Sequence, residues 1–210
     1  MPDHIALLCT LHPASQEKRE RYYTKPSAKC IAWSYFTPAA KLTLDATSFP
    51  LVGMEVYTDK AALQAQVDDT EHFQPYHATV KREELYAKPE ELQSWCLDCG
   101  FIGRGLGQTK SGKGTLVSVS RLVCKDVAGA WKVLDGLREF SKWVEREEPG
   151  VLSYGVFTRP KAPTEVLLWV RAAQKLMGPH LDLKKTETTV WREVEDSFVA
   201  PLPATSSAKL

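Results

Sequence analysis

His72 and His77 stand five residues apart in Thr70–His77 (TEHFQPYH), with Phe73 and Tyr76 between them. At these spacings the four side chains can share one face of a helix. An imidazole gains and loses its proton near neutral pH, so either histidine has the chemistry of a general base. The same pair also reads as partly buried core, each ring satisfied by one hydrogen bond. A metal site would need a third ligand, and none is visible at a compatible spacing. Trp33, Tyr35 and Tyr57 lie on segments that read as neighbouring strands. There they either pack a core or wall a pocket for a flat aromatic ligand, with phenol hydroxyls available to orient it. Glu55, mid-strand between Met54 and Val56, needs a partner if buried: a structural ion pair, or a catalytic role.

Two further patterns carry less chemistry. Gly107, Gly112 and Lys113 have the spacing of a phosphate-binding loop, but residue 114 is Gly where Ser or Thr must hold magnesium. The segment after it reads as a strand, not the required helix, so Gly103–Gly114 reads as a flexible joint with five glycines. Cys96-x-x-Cys99 has neither a second ligand pair nor a helix start, and reads as two reduced thiols.

Composition narrows the class. The chain has 210 residues, 43% hydrophobic, with 27 basic and 26 acidic residues and a formal net charge of +1. The hydrophobic content supplies a core, and the balanced charge argues against nucleic acid as the main partner. No apolar run has bilayer length and no leader pattern precedes the first strand, so the chain reads as soluble and intracellular. The five cysteines, an odd number and scattered, fit reduced thiols. There is no asparagine. Any site must be built without one.

The elements that position these residues follow from periodicity. His4–Leu11 and Lys29–Phe36 read as strands, with Ala14–Tyr23 a short helix between them. Val52, Met54 and Val56 alternate with Gly53, Glu55 and Tyr57 as a strand with two different faces. Asp59 is placed as the N-cap of a helix over Lys60–Val67, and His72–His77 opens a second, which Lys81–Gln93 extends until Pro89. Ser94–Ile102 closes the first half. After the Gly-rich stretch come a strand (Thr115–Cys124) and a helix over Val127–Glu147, capped by Asp126. On that helix Val127, Ala130, Leu134, Leu137, Ser141 and Val144 form one stripe. Val151–Phe157 and Glu165–Arg171 read as strands, Ala172–Met177 as a brief helix, and Thr186–Val194 as the last strand. The halves share this order, and Lys29–Phe36 aligns with Gly150–Phe157, as a diverged internal duplication would.

Glu55, Tyr57, Asp59, Ala62, Leu63, His72 and Phe73 together resemble the strand–helix signature of the antibiotic biosynthesis monooxygenase family of dimeric α+β barrels. The resemblance implies an α+β fold: two ferredoxin-like units in one chain, residues 1–102 and 115–198, joined by residues 103–114. Their sheets face each other as an intramolecular, pseudo-dimeric barrel, with a tail at 199–210. It implies oxygenation of an electron-rich aromatic or polyketide-like substrate of secondary metabolism by molecular oxygen, with no metal or flavin cofactor. His72 would be the base, Tyr35 and Tyr57 would orient the oxyanion, and Trp33 would stack on the rings. Glu55, Phe73, Tyr76 and His77 would complete the ligand-binding wall. In the quinone-forming branch an Asn and a Trp hold the places of Gly53 and Tyr57, and in the second half Arg171 holds the Trp place. A non-catalytic barrel that binds a small hydrophobic ligand or a partner protein is the other reading. The chain would be a monomer with a pseudo-dimer core, or a homodimer. Ala208-Lys209-Leu210 is similar to the Ser-Lys-Leu address read by the peroxisomal import receptor, so a peroxisomal location is expected over the cytoplasm.

Overall fold

The computed structural model describes residues 4–26, 29–39, 50–104, 109–110, 114–173, 190–195 and 197–199. In chain order they form β1 (Ile5–Leu11), α1 (Gln16–Arg19), β2 (Cys30–Pro38), β3 (Leu51–Tyr57), α2 (Lys60–Val67), α3 (Phe73–Arg82) and β4 (Glu91–Phe101). Then follow β5 (Thr109–Lys110), β6 (Thr115–Val123), α4 (Val127–Glu147), β7 (Val151–Thr158), β8 (Glu165–Ala173), β9 (Val190–Glu193) and β10 (Phe198–Val199).

Eight of the strands close a ring. The order β3–β1–β4–β7–β8–β6–β9–β2 returns to its start through β2–β3, and every ladder is antiparallel. A closed ring has no free edge, but each strand then has an inner and an outer face to bury. The sequence meets both needs. All seven residues of β3 are buried, with Val52, Met54 and Val56 in the interior alongside Ala32, Phe36, Trp95, Phe157 and Trp169. The opposite residues, Leu51 and Tyr57, pack outward with Trp33, Tyr35 and Leu11.

The interior also holds charge. Arg171 on β8 is 2% exposed and meets both carboxylate oxygens of Glu193 on β9 at 2.8 Å. Ser34 on β2 donates to that carboxylate and Ser153 on β7 accepts from Arg171, so one polar knot ties four strands. A buried pair so fully bonded is costly to break singly, because the survivor is left uncompensated.

The strand order within the first half is β4–β1–β3–β2 and within the second β9–β6–β8–β7, the same fourth–first–third–second sequence. The halves are joined edge to edge through β4–β7 and β2–β9, and so do more than face each other. The helices do not repeat as regularly. The helix expected over Ala14–Tyr23 shrinks to Gln16–Arg19, because Tyr22 and Tyr23 leave it to pack on Tyr35 and Trp33. The extension expected over Lys81–Gln93 stops at Arg82, where Glu84 turns with φ of 50° and β4 begins at Glu91. Ala172 and Ala173 belong to β8, and the rest of the helix expected there lies outside the described residues, as does the tail beyond Val199, which is itself buried in β10. Helix α4 matches its expected stripe: Ala130, Leu134, Ser141 and Val144 are buried, and the Asp126 carboxylate accepts from Gly129 N at 2.6 Å. Val127, at the start of that stripe, is exposed. No helix among the described residues is long and apolar enough to cross a membrane.

Most of the Gly-rich joint lies outside the described residues, but Arg104 within it is anchored. Its guanidinium donates to the carbonyls of Val144, Glu145 and Glu148 at 2.9, 2.6 and 3.0 Å and also to Val151 O. It thereby caps the C-terminal carbonyls of α4, where a cation is favoured, while resting on the Phe101 ring at 4.5 Å. Arg104→Gln should lower stability by roughly 1.5–3 kcal/mol. Urea unfolding checks this, and a midpoint unchanged from the parent would show the cap to be idle.

Candidate functional site

The outer face of the first-half sheet is covered only in part. Three strands contribute to it through their outward residues: Cys9 from β1, Trp33 and Tyr35 from β2, and Glu55 and Tyr57 from β3. Helices α2 and α3 lie over them, and Asp59 starts α2 by accepting from Ala62 N at 2.7 Å. With α1 reduced to four residues, the roof is completed by Tyr22 and Tyr23, which are not helical. Between roof and sheet lies a cavity of about 250 Å³, walled mainly by aromatic and aliphatic side chains.

Its floor is a hydrogen-bonded cluster. Glu55 is 6% exposed. Its Oε1 accepts from the Tyr35 hydroxyl at 2.5 Å and lies 3.5 Å from the Cys9 Sγ donor; its Oε2 accepts from the Tyr57 hydroxyl at 2.8 Å. All three donors are neutral, and no residue lining the cavity is Lys or Arg. Burial raises the Glu55 pKa above its usual value, and the three hydrogen bonds, which favour the ionised form, offset only part of this. Burial, and then the Glu55 charge, push the Tyr35, Tyr57 and Cys9 groups upward too, so they remain protonated donors.

A glycine makes this cluster possible. Gly53 faces Tyr35 across the β2–β3 ladder, and a Cβ at residue 53 would fall 2.6 Å from the Tyr35 ring. The ring is held on its other sides by Tyr22, stacked at 5.5 Å, and Trp33 at 5.2 Å, so it has no room to retreat. The space a side chain at residue 53 would need is thus filled by the Tyr35 ring itself.

The walls rest on a second set of aromatics. Trp33 Nε1 donates to Tyr23 O at 3.1 Å, and the Tyr23 ring meets Phe73 edge-on at 5.2 Å. Tyr76 and Tyr86 share a hydroxyl contact of 2.7 Å. Of the expected site residues, Trp33, Tyr35, Glu55, Tyr57, Phe73, Tyr76 and His77 all line the one cavity. His72 does not. It stands at the N-cap position of α3, its side chain 37% exposed, with its ring nitrogens 3.7 Å from the carboxylates of Asp69 and Glu71. His77 packs on Phe73 at 4.4 Å and borders both the cavity and an open groove beside it. The ion pair weighed for Glu55 is absent among the described residues, its partners being phenols and a thiol.

Sequence reasoning missed Cys9, Tyr23, Gln66 and Tyr86, which also line the cavity. Cys9 was accessible, since Leu7, Cys9 and Leu11 fall on one face of β1. Tyr23 and Tyr86 sit in segments read as helix, where no sequence signal pointed them toward the cavity. Cys96 and Cys99 lie on β4 as free thiols, and burial pushes Cys99 up to about 11.

Two measurements follow from the cluster. With its pKa raised, Glu55 keeps its proton to a higher pH in the folded chain than in the unfolded chain, which releases it near 4.5. That contribution is complete below 4.5 and is lost as pH rises through the raised folded pKa. Glu55→Gln keeps the shape without the titration, so its stability relative to the parent should be flat below 4.5 and increase with pH above it; parallel curves would count against a raised pKa. Gly53→Ala should displace Tyr35 and lower stability by about 1–3 kcal/mol, as read by thermal melting.

No family model matches the chain, and no curated protein matches it. Solved structures do. A proposed monooxygenase of Lactobacillus acidophilus NCFM superposes with a TM-score of 0.66 at 15% identity, covering 94% of this chain and 96% of that one. A proposed monooxygenase of Fusobacterium nucleatum gives 0.66 at 10% identity, with 94% of each chain covered. An anthrone oxidase-like protein gives 0.50 at 14% identity, covering 99% and 97%. At these identities the likeness is one of fold: this chain shares its barrel with these three solved structures.

Proposed function

We propose that the chain is an oxygenase of a small electron-rich aromatic compound, with molecular oxygen as co-substrate and neither metal nor flavin required. The carrying observation is the aromatic cavity with a buried carboxyl group on its floor. Trp33 and Tyr35 offer flat surfaces, and the apolar wall favours a ring system over a polar metabolite. Removing a proton from an activated phenol or anthrone leaves an electron-rich anion, which itself reduces oxygen. The protein then has to supply shape, a proton acceptor and a dry environment. The fold neighbours support this reading by their monooxygenase and anthrone oxidase-like descriptions.

The repeated strand order supports a duplicated unit with a pseudo-dimeric core, of which only the first half carries the site. Arg171, aligned with Tyr57 by sequence, is not its structural counterpart: it lies on the inner face of β8 with Trp169, committed to Glu193, whereas Tyr57 lies on the outer face of β3. A secondary-metabolic role belongs to the same proposal. The peroxisomal reading rests on Ala208, Lys209 and Leu210, outside the described residues. The reading as a binding barrel without catalysis draws on one observation, the position of His72 away from the cavity.

Oxygen consumption with anthrone and naphthol substrates, in metal-chelated and flavin-free buffer, separates the two. Turnover is expected from the parent. Leu63→Trp, which places an indole where a leucine lines the cavity, should raise KM by about 10-fold or more while the fold survives. Tight binding of the aromatic without oxygen uptake would favour the binding barrel.

A further inference from the structure

We infer that Glu55 is the proton acceptor of this cavity, a catalytic residue in the place first expected for His72. The inference rests on the oxygenase reading for its substrate, but its geometry stands independently.

The chain buries two carboxylates beside the β2 strand, and they are treated in opposite ways. Glu193 is spent: Arg171 meets both of its oxygens at 2.8 Å and Ser34 donates to it as well. Its charge is neutralised in place, and it does not line the cavity. Glu55 has no cation among the described residues. Its Oε1 receives Tyr35 and Cys9, whereas its Oε2 receives only Tyr57. A carboxylate oxygen has two acceptor positions, so Oε2 retains one. The residue lines the cavity, within which an activated C–H or O–H group has no other buried base among the described residues. Desolvation strengthens a carboxylate as a base, as the direction of its pKa agrees.

The alternatives are weaker on position. His72 is outside the cavity. His77 lines it, but from α3 at the border with the open groove, across the cavity from the phenol cluster on the sheet. Glu90 also lines that border and is half-buried. Only Glu55 combines burial, an open acceptor position and hydroxyl donors that can follow the charge. When Glu55 takes a proton, the Tyr57 hydroxyl loses its charged acceptor and can rotate to donate to the developing oxyanion.

For a ring-activated methylene, the steps balance. Glu55 takes one C–H proton and leaves the electron pair on the substrate carbon. The carbanion transfers its electrons to molecular oxygen with formation of a C–O bond, and Glu55 returns the proton to give a hydroperoxide. Glu55 then takes the second C–H proton as the O–O bond breaks, and returns it to the departing hydroxide. In sum, the methylene and one molecule of oxygen become a ketone and one molecule of water, with Glu55 ionised at the end as at the start.

Proton abstraction can be read without oxygen. Anaerobic incubation of the full chain with anthrone in heavy water, followed by mass spectrometry, measures exchange at the methylene. The parent should exceed buffer, and Glu55→Gln should fall by roughly 10²–10⁴-fold, with anthrone binding by tryptophan quenching unchanged within a factor of about three and a folded circular dichroism spectrum. Should that variant not fold, Glu55→Asp carries the test: withdrawing the carboxylate by one methylene should cost about 10²-fold, and undiminished exchange would overturn the assignment. Parent-like exchange in Glu55→Gln overturns it equally. Exchange without oxygen uptake keeps Glu55 as acceptor and removes the oxygenase reading. Oxygen uptake undiminished in Glu55→Gln keeps the oxygenase and removes Glu55. A parent that neither exchanges nor consumes oxygen loses both.

Discussion

Closure of the barrel is the constraint from which the rest follows. Once β2 pairs with β3 and β4 with β7, the backbone donors and acceptors of the eight strands are satisfied within the ring. The inner face then closes on itself, around Trp95, Phe157 and Trp169. The outer face cannot, and must be covered by whatever helices the connections supply. Helix α4 covers β4 and β7 closely with its stripe of Ala130, Leu134 and Val144. In the first half the connection between β1 and β2 supplies four helical residues among those described, and the cover comes from α2, α3 and the two tyrosines after α1. The cavity is the space this looser roof leaves. The candidate site lies in the half where packing among the described residues is less complete.

The two halves then assign their buried charge differently. In the interior, Arg171 and Glu193 cancel each other and bind four strands into one arrangement, a role that needs no ligand. Under the roof, Glu55 is left with phenols and a thiol. Neutral donors stabilise a carboxylate without fixing it as an anion, whereas a guanidinium would do so. The same residue type is thus ion-paired in one place and, among the described residues, bonded only to neutral donors in the other, for reasons set by its neighbours. Gly53 connects this chemistry to the backbone: its missing Cβ lets the Tyr35 ring lie across β3 and reach Glu55.

The solved structures alike in fold share 10–15% of their residues with this chain. Such divergence retains a barrel, because a barrel asks only for alternation and volume. It does not retain a site, which asks for particular groups at particular distances. In this chain the polar groups near Gly53 come from Tyr35, Tyr57 and Glu55.

Local pattern was enough to determine the eight strands of the ring, though not β5 or β10, the capping of α2 and α4 by Asp59 and Asp126, and the face shared by Glu55 and Tyr57. These depend on residues a few positions apart, and period two or 3.6 records them directly. It was enough also to gather seven of the eight expected site residues, since Trp33, Tyr35, Tyr57 and their neighbours alternate onto one side. Tertiary structure alone decided the remainder. His72 was expected at the site because it sits beside Phe73, but at the N-cap of α3 its ring turns to Asp69 and Glu71 instead. Arg104 belongs to a glycine-rich stretch and yet caps a helix that ends some forty residues later. Cys9, Tyr23 and Tyr86 reach the cavity from three distant segments. For Arg104, Cys9, Tyr23 and Tyr86 the deciding partner is far away in sequence, and a pattern confined to neighbouring residues cannot contain it; for His72 the partners are close by, and what decided was where α3 begins.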